Sequence, residues 1–198
     1  MLRRRVPRSG SLSRIPELTA RLAARPPRLE GDPDRPRAAV AIILAPEPDS
    51  ILLIRRAERK DDRWSGHLAL PGGRWSEEDP DLAATARRET LEEVGVDLAA
   101  APVIGVLDDL TPRSQVLPRI LVRPFVFTLP AQVPPVPNGE VAGAWWLPLE
   151  EFLAPGIYGP AESRRADAVI SGPGYRLEVG LLWGMTERIL TPLFDMLR

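Results

Sequence analysis

Apolar side chains recur along the chain in two periods, one helical and one extended, separated by clusters of proline, glycine and charge. Leu12, Ile15, Leu18 and Leu22 stand three or four apart, with Ser11 or Ser13 available as a cap. That spacing predicts a helix of about three turns, ended by Pro26-Pro27. A charged linker with two prolines follows from Glu30 to Pro36. Ala38 to Ala45 is continuously apolar and reads as a buried strand, with Ile51–Ile54 as its hairpin partner across Pro46–Ser50. Arg55 to Arg63 is a charged loop. Leu82 to Val94 carries the strongest helical pattern. Val103–Leu107 and Arg119–Leu129 are predicted strands, the second interrupted in pattern by Pro124. Four prolines in Pro130–Asn138 make that segment an irregular loop. Ala144–Leu147 is a short strand, and a turn or short helix follows at Leu149–Leu153. Residues 154–174 carry no pattern that assigns an element. Tyr175–Val179 reads as an outer strand and Leu181–Leu197 as a closing helix, despite Pro192. This order points to an α/β (α+β) domain, a mixed sheet covered by helices.

Composition narrows the chemistry. The 198 residues hold 27 acids, 26 bases, one histidine and no cysteine. Disulfides, zinc knuckles, iron–sulfur clusters and thiol nucleophiles are therefore excluded, as is any multi-histidine metal site. A net charge of -1 argues against broad nucleic-acid binding. The total conceals an asymmetry: residues 1–37 hold ten arginines and four acids, whereas residues 77–97 hold eight acids and two arginines. An RNA-binding role would rest on the first of these alone. The arginine-rich start lacks the apolar stretch of a secretion signal, although it mimics a transit peptide in composition; no run of eighteen apolar residues follows. A cytoplasmic location is the expectation.

The second asymmetry carries the candidate chemistry. With Leu82–Val94 placed on a helical wheel, Ala83, Ala86, Thr90, Leu91 and Val94 share the face expected to be buried. Glu89, Glu92 and Glu93 share another arc, with Arg88 beside Glu92 at i,i+4. Such like charges cost a few tenths of a kcal/mol per neighbouring pair on a free helix, a cost that a divalent cation reverses. Carboxylate oxygens suit Mg²⁺ or Mn²⁺. Upstream, Gly72 and Gly73 permit a tight turn whose backbone approaches the same place, and Gly95 is placed to end the helix. A solvated acidic helix face has the same pattern, and periodicity alone does not separate the two.

The run Gly73-x5-Asp79-x8-Arg88-Glu89-Thr90-x-Glu92-Glu93-x-Gly95-Val96 closely resembles the signature of the Nudix hydrolases. It departs in having Asp79 where glutamate is usual, one extra residue before Arg88, and Thr90 in place of an aliphatic. The resemblance implies an α/β/α sandwich over residues 37–198, preceded by an arginine-rich arm and short helix in residues 1–36. It implies Glu89, Glu92 and Glu93 as ligands of Mg²⁺ (or Mn²⁺), Gly72 as a backbone-carbonyl ligand and Arg88 as organiser of the carboxylates. The implied reaction is attack of water on a diphosphate linking a nucleoside to another group.

Further stretches are similar to the coenzyme A diphosphatase branch: Leu52–Arg56, His67–Gly73, Asp79–Glu89, Leu107–Pro112 and Trp183–Thr186. Here the order Ser65-Gly66-His67 and the presence of Leu70 differ from that branch's usual pattern. The branch implies cleavage of coenzyme A, or an acyl derivative, to 3′,5′-ADP and 4′-phosphopantetheine. ADP-ribose, nucleotide sugars, dinucleoside polyphosphates and damaged nucleotides are the alternatives, and a binding module without turnover is another. The resemblance implies Glu140 as the general base, weighed against plain surface charge, with Glu89 or Glu93 as alternative bases. Arg55, Arg56, His67 and Arg119 are candidate substrate contacts, weighed against plain solvated or core roles. Trp145 and Trp146 are expected at the core and its rim, with an adenine platform the less favoured role. The expected partner is a small molecule, with a homodimer compatible and neither nucleic acid nor membrane expected.

Overall fold

The computed structural model describes residues 13–31, 35–59, 65–112, 119–165 and 168–198, with no account of the side chains of 163–170. Leu12, Ser11 and the arginine-rich arm before them lie outside the described residues. Elements run in the order α1 (Ile15–Ala23), β1 (Arg37–Ala45), β2 (Ser50–Arg56), β3 (Leu68–Ala69), β4 (Gly72–Arg74), α2 (Leu82–Val94), β5 (Val103–Val106), β6 (Leu121–Thr128) and β7 (Val141–Pro148). They continue with α3 (Leu149–Leu153), β8 (Tyr158–Arg165), β9 (Ala168–Leu177), β10 (Gly180–Trp183) and α4 (Gly184–Asp195). No helix among the described residues is long and apolar enough to cross a membrane.

The expected mixed sheet is present. Seven strands follow the path β3-β2-β1-β6-β5, with β4 joined to β1 and β7 to β2. β1 runs parallel to β6 from Arg37 to Leu44 and antiparallel to β2 only at Leu44↔Ile51 and Ala45↔Ser50. Beyond that hairpin β1 and β2 part. β3 takes the free edge of β2 at Ile54↔Ala69, and β4 takes that of β1 at Val40↔Gly72 and Ala39↔Gly73. The segment 68–74 thus forms a wedge between two splayed strands, tied further by Ala41 N–H to Pro71 O at 2.8 Å.

Alternation on β1 divides the core. Ala39, Ala41 and Ile43 pack with Leu82, Ala86 and Val94 of α2 on one face. Ala38, Ile42 and Leu44 pack on the other with Ile15, Leu18 and Leu22 of α1 and Leu190, Leu193 and Phe194 of α4. Helices on both faces of a sheet give the α/β/α sandwich. α1 starts against Asp49 of the β1–β2 turn, whose carboxylate accepts from Ser13 Oγ and the Arg14 N–H. Its following segment is gripped by Asp108 and Asp109, which accept from the Arg28 and Glu30 N–H groups.

Three expectations need correction. Arg55 and Arg56 close strand β2, paired with β7, and do not open the charged loop. Leu181–Trp183 is the end of a strand, not helix: β10 pairs with β9 through Leu182↔Tyr175, and the helix begins at Gly184, whose φ of 70° breaks the strand. Residues 154–174 do hold structure, since β8 and β9 form a long antiparallel hairpin from Tyr158↔Tyr175 to Arg165↔Ala168. Its Gly-Pro pairs hide the strand signal, yet Pro160 and Pro173 face each other in the ladder. Pro124 is held within β6, its carbonyl accepting from Leu107 N–H at 3.0 Å.

Candidate active site

α2 begins where the Asp81 carboxylate accepts from Ala84 N–H at 2.7 Å and ends where Gly95, at φ 65°, returns its N–H to Leu91 O. Both are standard terminal devices. Thr90 is buried without penalty, because its hydroxyl donates to Ala86 O at 2.7 Å. The buried arc differs from the expected one. Leu91 is half exposed, and Glu93, at 5 % exposure, takes the inward place. The wedge explains the exchange: it offers Glu93 a donor, Gly72 N–H, at 2.9 Å from Oε2. A leucine there would leave that amide unsatisfied.

The two glycines of the wedge meet different obstacles. At Gly72, with φ 149°, a Cβ would lie 2.3 Å from Ala39 O and 2.6 Å from Val40 Cα. At Gly73 it would lie about 2.4 Å from the Glu89 carboxyl carbon, the end of a flexible side chain. Gly72→Ala is therefore expected to destabilise the fold by several kcal/mol, on the order of 3–5. Gly73→Ala should leave thermal stability nearly unchanged while displacing Glu89 and reducing turnover. Melting curves and rates of the two variants side by side test this; equal losses of stability would contradict it.

Arg88 ties the acids together. Its Nε and Nη2 donate to the two oxygens of Asp79 at 3.0 and 2.9 Å, and its Nη1 reaches Glu89 at 2.9 Å and Glu92 at 3.2 Å. Nη2 also donates to Arg74 O. Asp79 is buried and accepts further from Ser76 N–H and Thr85 Oγ. The hydrogen-bonded guanidinium holds its carboxyl down at about 2, against the cost of burial. Sequence reasoning left Asp79 without a part because its spacing to Arg88 is unusual. The acid lies ahead of the helix, in the turn closed by Asp79 N–H to Ser76 O, so the extra residue falls outside the helical register.

Glu93 and Glu89 behave oppositely to Asp79. Burial pushes the Glu93 carboxyl up to about 7, opposed by the Gly72 amide and helped by the nearby Glu89 charge. Glu89 is raised for the same first reason, with Arg88 opposing. The charges of Arg56 and Glu140 both act on Glu93, the first lowering and the second raising it. Glu140 is exposed and pairs with Arg59 at 2.9 Å, a contact that sequence patterning did not single out. Its own N–H is held by Asn138 Oδ1, and Asn138 N–H bonds Glu93 O.

The remaining candidates lie elsewhere. Arg55 alternates with Leu53 and Ile51 toward the α4 face, where its guanidinium donates to Val179 O and stands 5.7 Å over Trp145. His67 lies edge-on to Trp183 at 5.0 Å, and its carbonyl accepts from Arg56 N–H. Arg119 is exposed ahead of β6. Trp145 packs partly against the α4-side core and Trp146 against the α2-side core, where Trp146 Nε1 donates to Val133 O.

Among the described residues, no three acidic or imidazole groups converge as a ready-made ion cage, and Arg88 draws Glu89 and Glu92 toward itself. The donor chemistry nonetheless fits a hard divalent cation. Glu93 is buried and Glu89 half-buried. Burial raises the proton affinity of both and the Glu89 charge raises that of Glu93 further, so a cation bound here would relieve both burial and repulsion.

Residues 35–166 match the model of the NUDIX domain family. A protein of Schizosaccharomyces pombe, "Uncharacterized protein C14C4.10c", is 46% identical over 111 residues, 53% of this chain but only 33% of that protein. The chain thus spans a third of that relative's length. "Uncharacterized Nudix hydrolase NudL" of Yersinia pestis is 35% identical over 165 residues, 79% of this chain and 77% of its own. The crystal structure of a MutT/nudix family protein from Enterococcus faecalis superposes with a TM-score of 0.58 at 18% identity, over 95% of this chain and 70% of that one. That likeness concerns the fold.

Proposed function

This chain belongs to the NUDIX family, and on that footing we propose that it hydrolyses the diphosphate bond of a nucleoside diphosphate derivative, with coenzyme A or an acyl-coenzyme A as its substrate. One observation carries the reading: Glu93 and Glu89 meet the Gly72–Gly73 wedge, and Arg88, clamped on buried Asp79, joins Glu92 to them along the same helix. Glu89, Glu92, Glu93 and the Gly72 carbonyl would hold Mg²⁺ or Mn²⁺. A bound ion supplies charge neutralisation for the phosphoryl oxygens and acidifies the attacking water. Arg88 fixes the direction of Glu89 and Glu92. Glu140, in the loop that Asn138 ties to Glu93, takes the proton as water attacks phosphorus and the bridging P–O bond breaks. The leaving phosphate carries away the bond's electrons, and one water is consumed for two phosphomonoesters formed.

The coenzyme A reading is supported by two stretches that are similar to its branch, apart from the Ser65-Gly66-His67 order and Leu70, and that meet in the fold. Trp183 packs on His67, and Thr186 Oγ donates to Leu68 O at 3.4 Å. The expected result of a substrate panel with Mg²⁺ is turnover of coenzyme A to 3′,5′-ADP and 4′-phosphopantetheine, identified by mass. Faster turnover of ADP-ribose or a nucleotide sugar would move the substrate within the same reaction class. No product from any diphosphate would sink the enzymatic reading.

A further inference from the structure

Two cations stand at the end of β2, Arg56 as its last residue and Arg59 just beyond it. The Arg56 N–H is bonded to His67 O, and Arg59, three residues on, binds the Glu140 carboxylate. The backbone around this pair is stitched down on both sides. Ala57 N–H donates to Glu140 O at 2.8 Å, Arg59 N–H to Ser65 Oγ at 2.8 Å, and Asn138 links the Glu140 loop to Glu93. The side chains themselves are not held: Arg59 and Glu140 are 54% and 57% exposed, and no other hydrogen bond joins either side chain among the described residues. An exposed pair of this kind contributes little to stability, and it is given up readily to a stronger partner. A diphosphate is such a partner, since its oxygens accept both arms of a guanidinium and carry more charge than one carboxylate.

We infer that Arg59 is a substrate-binding residue kept occupied by Glu140, and that the diphosphate displaces Glu140 from it on binding. The exchange does two things at once. It places a guanidinium on the phosphate, and it frees the Glu140 carboxylate beside Glu93. The inference rests on the diphosphate reading above and adds the residue that couples binding to release of the base.

The sign of one substitution separates this from a structural ion pair. If Glu140 competes with phosphate for Arg59, Glu140→Gln must strengthen anion binding, whereas a pair that merely shapes the loop would weaken it. The measurement is calorimetric titration of the full chain with inorganic pyrophosphate in chelator, alongside KM for a turned-over diphosphate with Mg²⁺. Arg59→Gln should weaken pyrophosphate binding and raise KM by about tenfold. Glu140→Gln should tighten pyrophosphate binding by about threefold or more, and the double variant should bind no better than Arg59→Gln alone. Unchanged or weaker binding by Glu140→Gln, the same gain without Arg59, or an unaltered KM in Arg59→Gln would each overturn the exchange. Those results in a protein that still hydrolyses diphosphates leave the reaction standing and remove only this inference. A wild-type chain with no diphosphatase activity removes the reading beneath it.

Discussion

Glu93→Gln is expected to lower turnover by at least about 100-fold and, in chelator at pH 8, to raise the melting temperature. The two effects have one origin. Glu93 is buried against the wedge, and burial lifts its carboxyl from an ordinary 4.5 to about 7 in the folded chain. A carboxyl raised on folding stabilises the protein below about pH 4.5, where it is protonated in both states, and that contribution is lost as pH rises through about 7. At pH 8 the folded chain carries an ionised carboxylate in a site that disfavours it, at up to about 3 kcal/mol. Glutamine keeps the acceptor that Gly72 N–H needs and removes the charge. The gain should read as several degrees and shrink toward pH 5, since stability shifts of this size move Tm by roughly 2–4 °C per kcal/mol. Saturating Mg²⁺ should shrink it as well. A variant with wild-type turnover would refute the ligand assignment, and one that melts lower at pH 8 would refute the account of Glu93.

Asp79→Asn should cost more stability than any exposed acid in the chain, about 3 kcal/mol, with a fall in Tm of roughly 6–12 °C. Its carboxylate is the buried end of a fork-to-fork contact with Arg88 and takes two more donors from Ser76 and Thr85. The amide loses the charge and turns a donor toward the guanidinium. Because Asp79 is held at about 2 rather than its ordinary 3.8, its contribution is present above about pH 4 and fades as pH falls through about 2. Arg88 would then lose the anchor that fixes its other arm on Glu89 and Glu92, and turnover should fall by about 10–100-fold. Acid denaturation and kinetics of the variant measure both; stability within about 0.5 kcal/mol of wild type would contradict the role given to the pair.

The helix and its chemistry were legible because both are local. Leu82–Val94 appears with the expected bounds, since Asp81 and Gly95 mark its ends by side-chain and backbone chemistry within a few residues. The three glutamates share an arc for the same reason. What the sequence concealed depends on partners distant along the chain. Nothing in residues 82–94 says that Gly72 will offer an amide to Glu93, so the inward side of the helix was assigned to Leu91 instead. Arg55 and Arg56 are adjacent and alike in sequence, yet only Arg55 turns its guanidinium to Val179 O, while the charge of Arg56 acts on Glu93. The β8–β9 hairpin was missed because glycine and proline, which usually break strands, sit within a ladder that long-range pairing sustains.

The wedge of residues 68–74 also bears on the order in which the chain folds. β3 and β4 are two and three residues long, and their ladder partners, β2 and β1, precede them as a hairpin already joined at Leu44↔Ile51. Segments so short have no independent stability and pair only once the splayed edges exist. The amides of Ala41 and Gly72, bonded to Pro71 O and Glu93, should therefore gain protection from hydrogen exchange later in refolding than the β1–β6 ladder. A collapsed intermediate with the parallel strands in place would lack the floor on which the glutamates stand. Affinity for a divalent ion should then arise only with the last cooperative step of folding.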